Sequence, residues 1–78
     1  MGTRIDHELR NIFETRLNVA LYSDDLSMLN VESWDSLAHI GLILEIERRF
    51  KVKISAAEAI EMVSIRAIKE VLEQHEES

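Results

Sequence analysis

The sequence predicts an all-α fold: a small four-helix bundle with three longer helices, one short helix, and a long ordered loop between the first and second. Three observations predict it. Across 78 residues there is no proline, and the only glycines are Gly2 and Gly41, whereas sheet proteins of this size need glycines in their turns. Apolar residues recur at helical spacing in separate stretches. Residues with short polar side chains stand just ahead of those stretches, where they cap free backbone N–H groups. A chain this short reads as one domain, residues 1–78, with a modest core and little room for a deep cleft.

Ile5, Leu9, Ile12, Phe13 and Leu17 are spaced four, three, one and four apart. They form one stripe of an amphipathic helix over residues 4 to 17. Thr3 followed by Asp6 resembles a capping box with a shorter acid. Residues 18 to 35 keep no period and hold the turn signals Asn18, Ser23-Asp24-Asp25, Asn30 and Ser33. A loop of this length in a small domain is functional or disordered. The apolar anchors Val19, Leu21, Leu26, Met28, Leu29 and Val31 argue for an ordered loop across the bundle, with one short helical turn.

Residues 36 to 50 form the second helix. On a wheel of about 100° per residue, Leu42, Ile43, Ile46 and Phe50 share one arc with His39. Leu37, Ile40 and Leu44 share a second arc, with Gly41 and Arg48 beside them. A helix with a single core contact needs only one arc, so the second is either covered by another helix or kept for a partner. "KVKI" at 51 to 54 alternates like a strand but is too short to stand alone. Ser55-Ala56-Ala57-Glu58 is a full capping box. It opens a short third helix over 56 to 62 that uses Ile60 and Met62. Ser64 caps a fourth helix over 65 to 74, with Ile65, Ile68, Val71 and Leu72 as its stripe. The closing "QHEES" reads as a frayed polar tail.

Composition narrows the function. Nine basic against fifteen acidic side chains give a net charge of −6, which disfavours nucleic acid as a partner and suits basic protein surfaces. The chain has no cysteine, so disulfides and protein thiol chemistry are excluded. "MGTRIDHELR" is too charged for a signal peptide, and "LAHIGLILEI" is interrupted by Glu45 and too short to span a bilayer. The expectation is a cytoplasmic protein without membrane insertion. His7, His39 and His75 lie on separate segments with no metal-ligand spacing, and no glycine-rich phosphate loop is present. Ser36 and His39 would make a nucleophile–base pair only with an orienting acid and an oxyanion hole, which a domain without a cleft rarely supplies. A non-catalytic protein is expected.

Ser36 remains. It is either a plain helix cap or a site. A helix N-terminus attracts anions through its free N–H groups and its dipole, so a phosphate on Ser36 would be well placed. The apolar Leu37, Ile40 and Leu44 beside it would let a partner dock.

"DSLAHIGLILEIERRFKVKI", residues 35 to 54, resembles the central helix of acyl carrier proteins and the related peptidyl carrier domains. The tripeptide alone is weak evidence. Ile40, Leu42, Ile46-Glu47, Phe50, Val52 and Ile54 in register behind it make the likeness specific, and the helix lengths and long first loop extend it over nearly the whole chain. The resemblance implies 4′-phosphopantetheine joined to Ser36 through a phosphodiester and installed by a separate phosphopantetheinyl transferase. The thiol of that arm would carry acyl or aminoacyl groups as thioesters, supplying the sulfur the chain lacks. The protein would be a monomeric shuttle serving acyl- or aminoacyl-activating ligases or synthase components.

The same resemblance weighs the neighbours. Asp35 either helps position the modifying enzyme's metal ion or serves as a helix N-terminal acid. Leu37 matches the motif leucine and meets the modifying enzyme. Ile40, Gly41, Leu44 and Arg48 fall on the partner-facing side. Gly41 costs roughly 1 kcal/mol against alanine in a helix interior, a cost consistent with close approach of a partner. Trp34 stands where many fatty-acid carriers have glycine and is expected to brace the loop, and His39 is expected to be a partly buried bundle histidine. Fatty-acid carriers present a strongly acidic second helix. Here Glu45 and Glu47 are offset by Arg48 and Arg49, so docking should lean on the apolar residues with little long-range steering. That implies a dedicated or secondary pathway, such as polyketide, nonribosomal peptide or D-alanyl transfer by a stand-alone adenylating ligase, over housekeeping fatty-acid synthesis. The competing expectation is an unmodified helical interaction module in which Ser36 is only a cap.

Overall fold

The structure is a computed structural model and describes residues 3–77. Four helices follow in order: α1 Thr3–Arg16, α2 Ser36–Phe50, α3 Ala56–Glu61 and α4 Ile65–Glu77. The all-helical bundle expected from periodicity is the fold observed. Among the described residues the only sheet-like pairing is an isolated bridge between Ser27 and Ser64.

The first stripe is buried as its spacing requires: Ile5, Leu9, Ile12, Phe13 and Leu17 all enter the core. α1 ends at Arg16, one residue sooner than the periodicity suggests. The chain turns there because Asn18 adopts a left-handed φ of 54°, a conformation asparagine tolerates better than most residues. The capping role expected of Thr3 rests on a side chain outside the described residues.

The long loop is ordered by pairing with the start of α4. Met28 N–H donates to the Val63 carbonyl at 3.0 Å, and Ile65 N–H donates to the Leu26 carbonyl at 3.0 Å. The expected single turn is present, with Asn30 and Val31 N–H both donating to the Ser27 carbonyl. Val19, Leu26, Met28 and Val31 pack on the core as anchors. Leu21 and Leu29 do not, contrary to expectation: they are 83% and 99% exposed. An ionic clamp closes the loop from outside. Lys69 Nζ lies 2.7 Å from carboxylates of both Asp6 and Asp24, joining α1, loop and α4. Those two hydrogen-bonded carboxylates hold the ammonium above its ordinary range. Tyr22 donates its hydroxyl to Asp6 at 3.3 Å.

α2 spans the residues its pattern predicts. Leu42, Ile43, Ile46 and Phe50 are buried, while Leu37, Ile40 and Leu44 face solvent. The helix stops at Lys51, which adopts a left-handed φ of 55°. "KVKI" forms no strand. It is anchored by Ile54, which is buried and whose N–H donates to Glu47 Oε2 at 2.8 Å. α3 opens on the expected reciprocal capping box of Ser55 and Glu58. Met62 is buried as expected, but Ile60 is 75% exposed. In so short a helix Ala59 and Met62, three apart, take the inner face and turn Ile60 outward. Ser64 caps α4 by accepting from Ala67 N–H at 3.1 Å. Ile65, Ile68, Val71 and Leu72 fill the core. The tail is helical through Glu77, where fraying from Gln74 was expected. His75 Nε2 sits 3.1 Å from Glu58 Oε2, and that contact ties the last turn of α4 to α3.

Candidate attachment site at the start of the second helix

Three elements meet around Ser36: the end of the long loop, the first turn of α2, and α3. The loop delivers Trp34, which is 1% exposed. Its ring stands edge-on to Phe13 of α1, with centroids 5.0 Å apart. The expected bracing role is observed. Ser33 Oγ, next to it, donates to the Leu17 carbonyl at 2.7 Å, so the chain entering α2 is held on both sides of the core.

Asp35 settles whether Ser36 is needed as the cap. Its backbone is extended, and its Oδ1 accepts from Ala38 N–H at 2.9 Å. Aspartate is as good a cap as serine, and it stands one residue earlier, so Ser36 becomes the first helical residue. The capping role that the competing reading gave Ser36 is therefore taken by Asp35. Its side chain is exposed, and its hydroxyl takes no hydrogen-bond partner among the described residues. Of the amides that open the helix, Ala38 donates to the Asp35 side chain and His39 to the Asp35 carbonyl at 2.8 Å. Those of Ser36 and Leu37 remain directed at the helix entrance, where they favour an anion.

His39 is half-buried, as expected, and holds the site together. Trp34 Nε1 donates to His39 Nδ1 at 3.0 Å, and His39 Nε2 lies 2.8 Å from the Ala59 carbonyl of α3. Indole nitrogen only donates, so Nδ1 accepts and Nε2 carries the proton given to Ala59. Both ring nitrogens are occupied, so His39 is not free to act as a base toward Ser36 despite being three residues away. Among the described residues no group of acids and histidines is placed to hold a metal ion.

The outer face of α2 runs Leu37, Ile40, Leu44, Arg48. The three apolar side chains are 81%, 59% and 60% exposed. Gly41 lies beside this face, next to the Arg16 side chain of α1. A Cβ there would sit 3.2 Å from Arg16 Nη1, so the glycine lets the Arg16 side chain of α1 lie across α2. Arg16 reaches Glu45, one of the two α2 acids whose charge the sequence offsets with Arg48 and Arg49. Glu45 is buried beneath three guanidinium groups. Arg48 Nη2 and Arg49 Nε each lie 2.7 Å from its Oε2, and Arg16 Nη2 lies 3.3 Å from its Oε1. The hydrogen bond from Arg49, followed by Arg48 and Arg16, holds this carboxyl below its ordinary value of 4.5. Arg49 is further paired with Glu8 of α1 at 3.2 Å. The spacing of Arg48 and Arg49, three and four residues after Glu45, was legible in the sequence. The arrival of Arg16 was not.

The arrangement suits phosphate chemistry. An accessible primary hydroxyl stands at a helix entrance with two adjacent N–H groups, beside an apolar face, and the cap that the helix needs is supplied by another residue. Searches of the curated proteins and of the solved structures find no match to the chain. The family model described as the phosphopantetheine attachment site matches residues 7–72, from the first turns of α1 to the buried stripe of α4. The chain belongs to that family, whose members bear 4′-phosphopantetheine as their prosthetic group.

Proposed function

We propose that this chain is a carrier domain in which Ser36 Oγ is the attachment point for 4′-phosphopantetheine. The arm supplies a terminal thiol that bears acyl or aminoacyl groups as thioesters. The observation that carries this reading is the division of labour at the start of α2: Asp35 caps the helix and Ser36 keeps a free, exposed hydroxyl. In this reading a phosphopantetheinyl transferase docks on Leu37 and removes the hydroxyl proton as the oxygen attacks the pantetheine-bearing phosphorus of coenzyme A, breaking the pyrophosphate P–O bond and releasing adenosine 3′,5′-bisphosphate. The N–H groups of Ser36 and Leu37 then face the phosphodiester. Asp35 spends one carboxylate oxygen on the cap and leaves the other toward the transferase. His39 and Trp34 act only as struts, and catalysis resides in the partner enzymes.

The charge of the α2 surface supports one class of pathway over another. That surface lacks the acidic character of fatty-acid carriers, because Glu45 is withdrawn from solvent and Arg48 is exposed. The protein accordingly serves a dedicated ligase or secondary pathway with an aminoacyl or unusual acyl group. Two measurements test the reading. Intact mass after co-expression with a broad-specificity phosphopantetheinyl transferase should rise by one phosphopantetheine, and Ser36→Ala should abolish the gain. An unchanged wild-type mass, or modification of the alanine variant, overturns the assignment. Loading of the modified protein by a fatty-acid malonyl transferase should be weak. Efficient loading that falls steeply with ionic strength overturns the pathway assignment.

A further inference from the structure

We propose that His39 is the positioning residue for Ser36 and holds it in place only while the imidazole is neutral, so that acid loosens the entrance of α2 without unfolding the bundle. Its meaning for function rests on the carrier reading: the hydroxyl is presented for modification at neutral pH and is no longer held in acid. The hydrogen bond from Trp34 Nε1 to His39 Nδ1, 3.0 Å long, joins residues five apart. It closes a side-chain loop over Asp35, Ser36, Leu37 and Ala38, the turn that carries both the cap and the serine. Both ends of that loop are fixed. Trp34 is buried with its ring against Phe13 of α1, and its backbone N–H donates to the Val31 carbonyl at 3.0 Å. The His39 ring is anchored on its other side by the Ala59 carbonyl of α3 at 2.8 Å.

An indole nitrogen only donates, so this link needs the lone pair on Nδ1. Protonation replaces the lone pair with an N–H and sets donor against donor. Turning the ring over gives no relief, because both nitrogens of an imidazolium donate. The indole face offers none either. The ring centroids are 6.0 Å apart with 29° between the planes, while the two nitrogens are 3.0 Å apart. The rings therefore meet edge to edge, and the cation does not lie over the π-face. Among the described residues no carboxylate pairs with the ring. The acids on the elements around it are spent elsewhere or face solvent. Asp35 of α2 accepts from Ala38 N–H, and Glu58 of α3 accepts from Ser55 N–H and stands beside His75 of α4. Glu32 of the loop and Glu61 of α3 are exposed, and α1 meets the junction with the apolar ring of Phe13. A charged His39 and the present seat of Trp34 thus exclude each other, since the buried indole N–H would be left unpaired.

The test is a titration of the unmodified, ¹⁵N-labelled full chain from about pH 8 to about pH 4.5, a range that spans the charge change of imidazoles. The Trp34 indole N–H, the Ser36 and Leu37 amides and the His39 ring should shift with one midpoint. Trp34 emission should move to longer wavelength. Exchange of the indole proton, corrected for its intrinsic rate, should quicken about 5–100-fold below the midpoint. The Leu42 and Ile46 amides should stay in place, which separates local release from acid unfolding. His39→Gln has no proton to gain and should abolish the transition. Asp35→Asn, which still caps the helix, and His75→Gln should each keep it. Trp34→Phe removes the opposed donor, so the His39 ring should titrate there while Ser36 and Leu37 lose most of their response. That variant decides the matter if His39→Gln misfolds. A flat Trp34 signal overturns the proposal. So does a transition that survives His39→Gln, that Asp35→Asn or His75→Gln abolishes, or that Leu42 and Ile46 follow. No readout requires Ser36 to be modified, so a failure here is distinct from a failure of the mass measurement.

Discussion

Trp34 Nε1 donates to His39 Nδ1 across 3.0 Å, and the same imidazole meets the Ala59 carbonyl at 2.8 Å on its other side. One neutral histidine thereby joins the end of the loop, the first turn of α2 and α3. This chain has a single tryptophan, so its fluorescence reports on that junction. Trp34→Phe keeps most of the packing and removes the donor, and should cost about 1–3 kcal/mol by leaving His39 Nδ1 unpaired. His39→Ala should shift the Trp34 emission to longer wavelength in the folded protein. Chemical denaturation and emission spectra check both, and an unchanged spectrum in His39→Ala would show that the junction does not govern Trp34.

Capping and attachment separate by one residue. Ser36→Ala should leave stability within about 0.5 kcal/mol of wild type, since it removes only an exposed hydroxyl. Asp35→Ala should lose about 0.5–2 kcal/mol with the cap. Urea denaturation of the two variants gives the comparison. A larger loss in Ser36→Ala would mean that its hydroxyl does cap the helix.

Acid should weaken the protein through Glu45. Its carboxyl titrates below its ordinary value of 4.5 in the native state because Arg49, Arg48 and Arg16 surround it. A depressed native value means that the unfolded chain binds the proton more readily. The stabilisation is therefore complete above the ordinary value and is lost as pH falls through the lower native one. Glu45→Gln should cost about 1–3 kcal/mol at neutral pH. It should also flatten the stability curve below the ordinary carboxylate range, as thermal melts from pH 7 down to pH 3 would reveal.

The core of α2 closes on Phe50, which lies 8% exposed under the Arg4 guanidinium. Phe50→Ala should cost about 3–5 kcal/mol, a large part of the roughly 4–12 kcal/mol available to a domain of this size. Glu14, exposed on α1, supplies the control: Glu14→Ala should shift the melting temperature by a degree or two at most. Equal melting temperatures for the two variants would contradict the burial of Phe50.

Sequence alone determined the helices and their inward faces. Stripes of Ile, Leu and Phe at helical spacing leave one low-energy way to bury themselves, so α2 and the core residues of α1 and α4 follow from periodicity. The capping box at Ser55 and Glu58 was equally legible, because its donors and acceptors lie within four residues of one another. Tertiary structure decided what depends on residues far apart in the chain. Arg16 stands twenty-nine positions from Glu45, and no local pattern announces that it will cross Gly41 and help bury that acid. The outward turn of Ile60 depends on the single inner face of a six-residue helix. At the candidate site the two levels meet. The motif around Ser36 drew attention to the serine. Only the tertiary structure showed that the Asp35 side chain takes the cap and the His39 ring is committed to Trp34 and Ala59, which leaves the serine hydroxyl free.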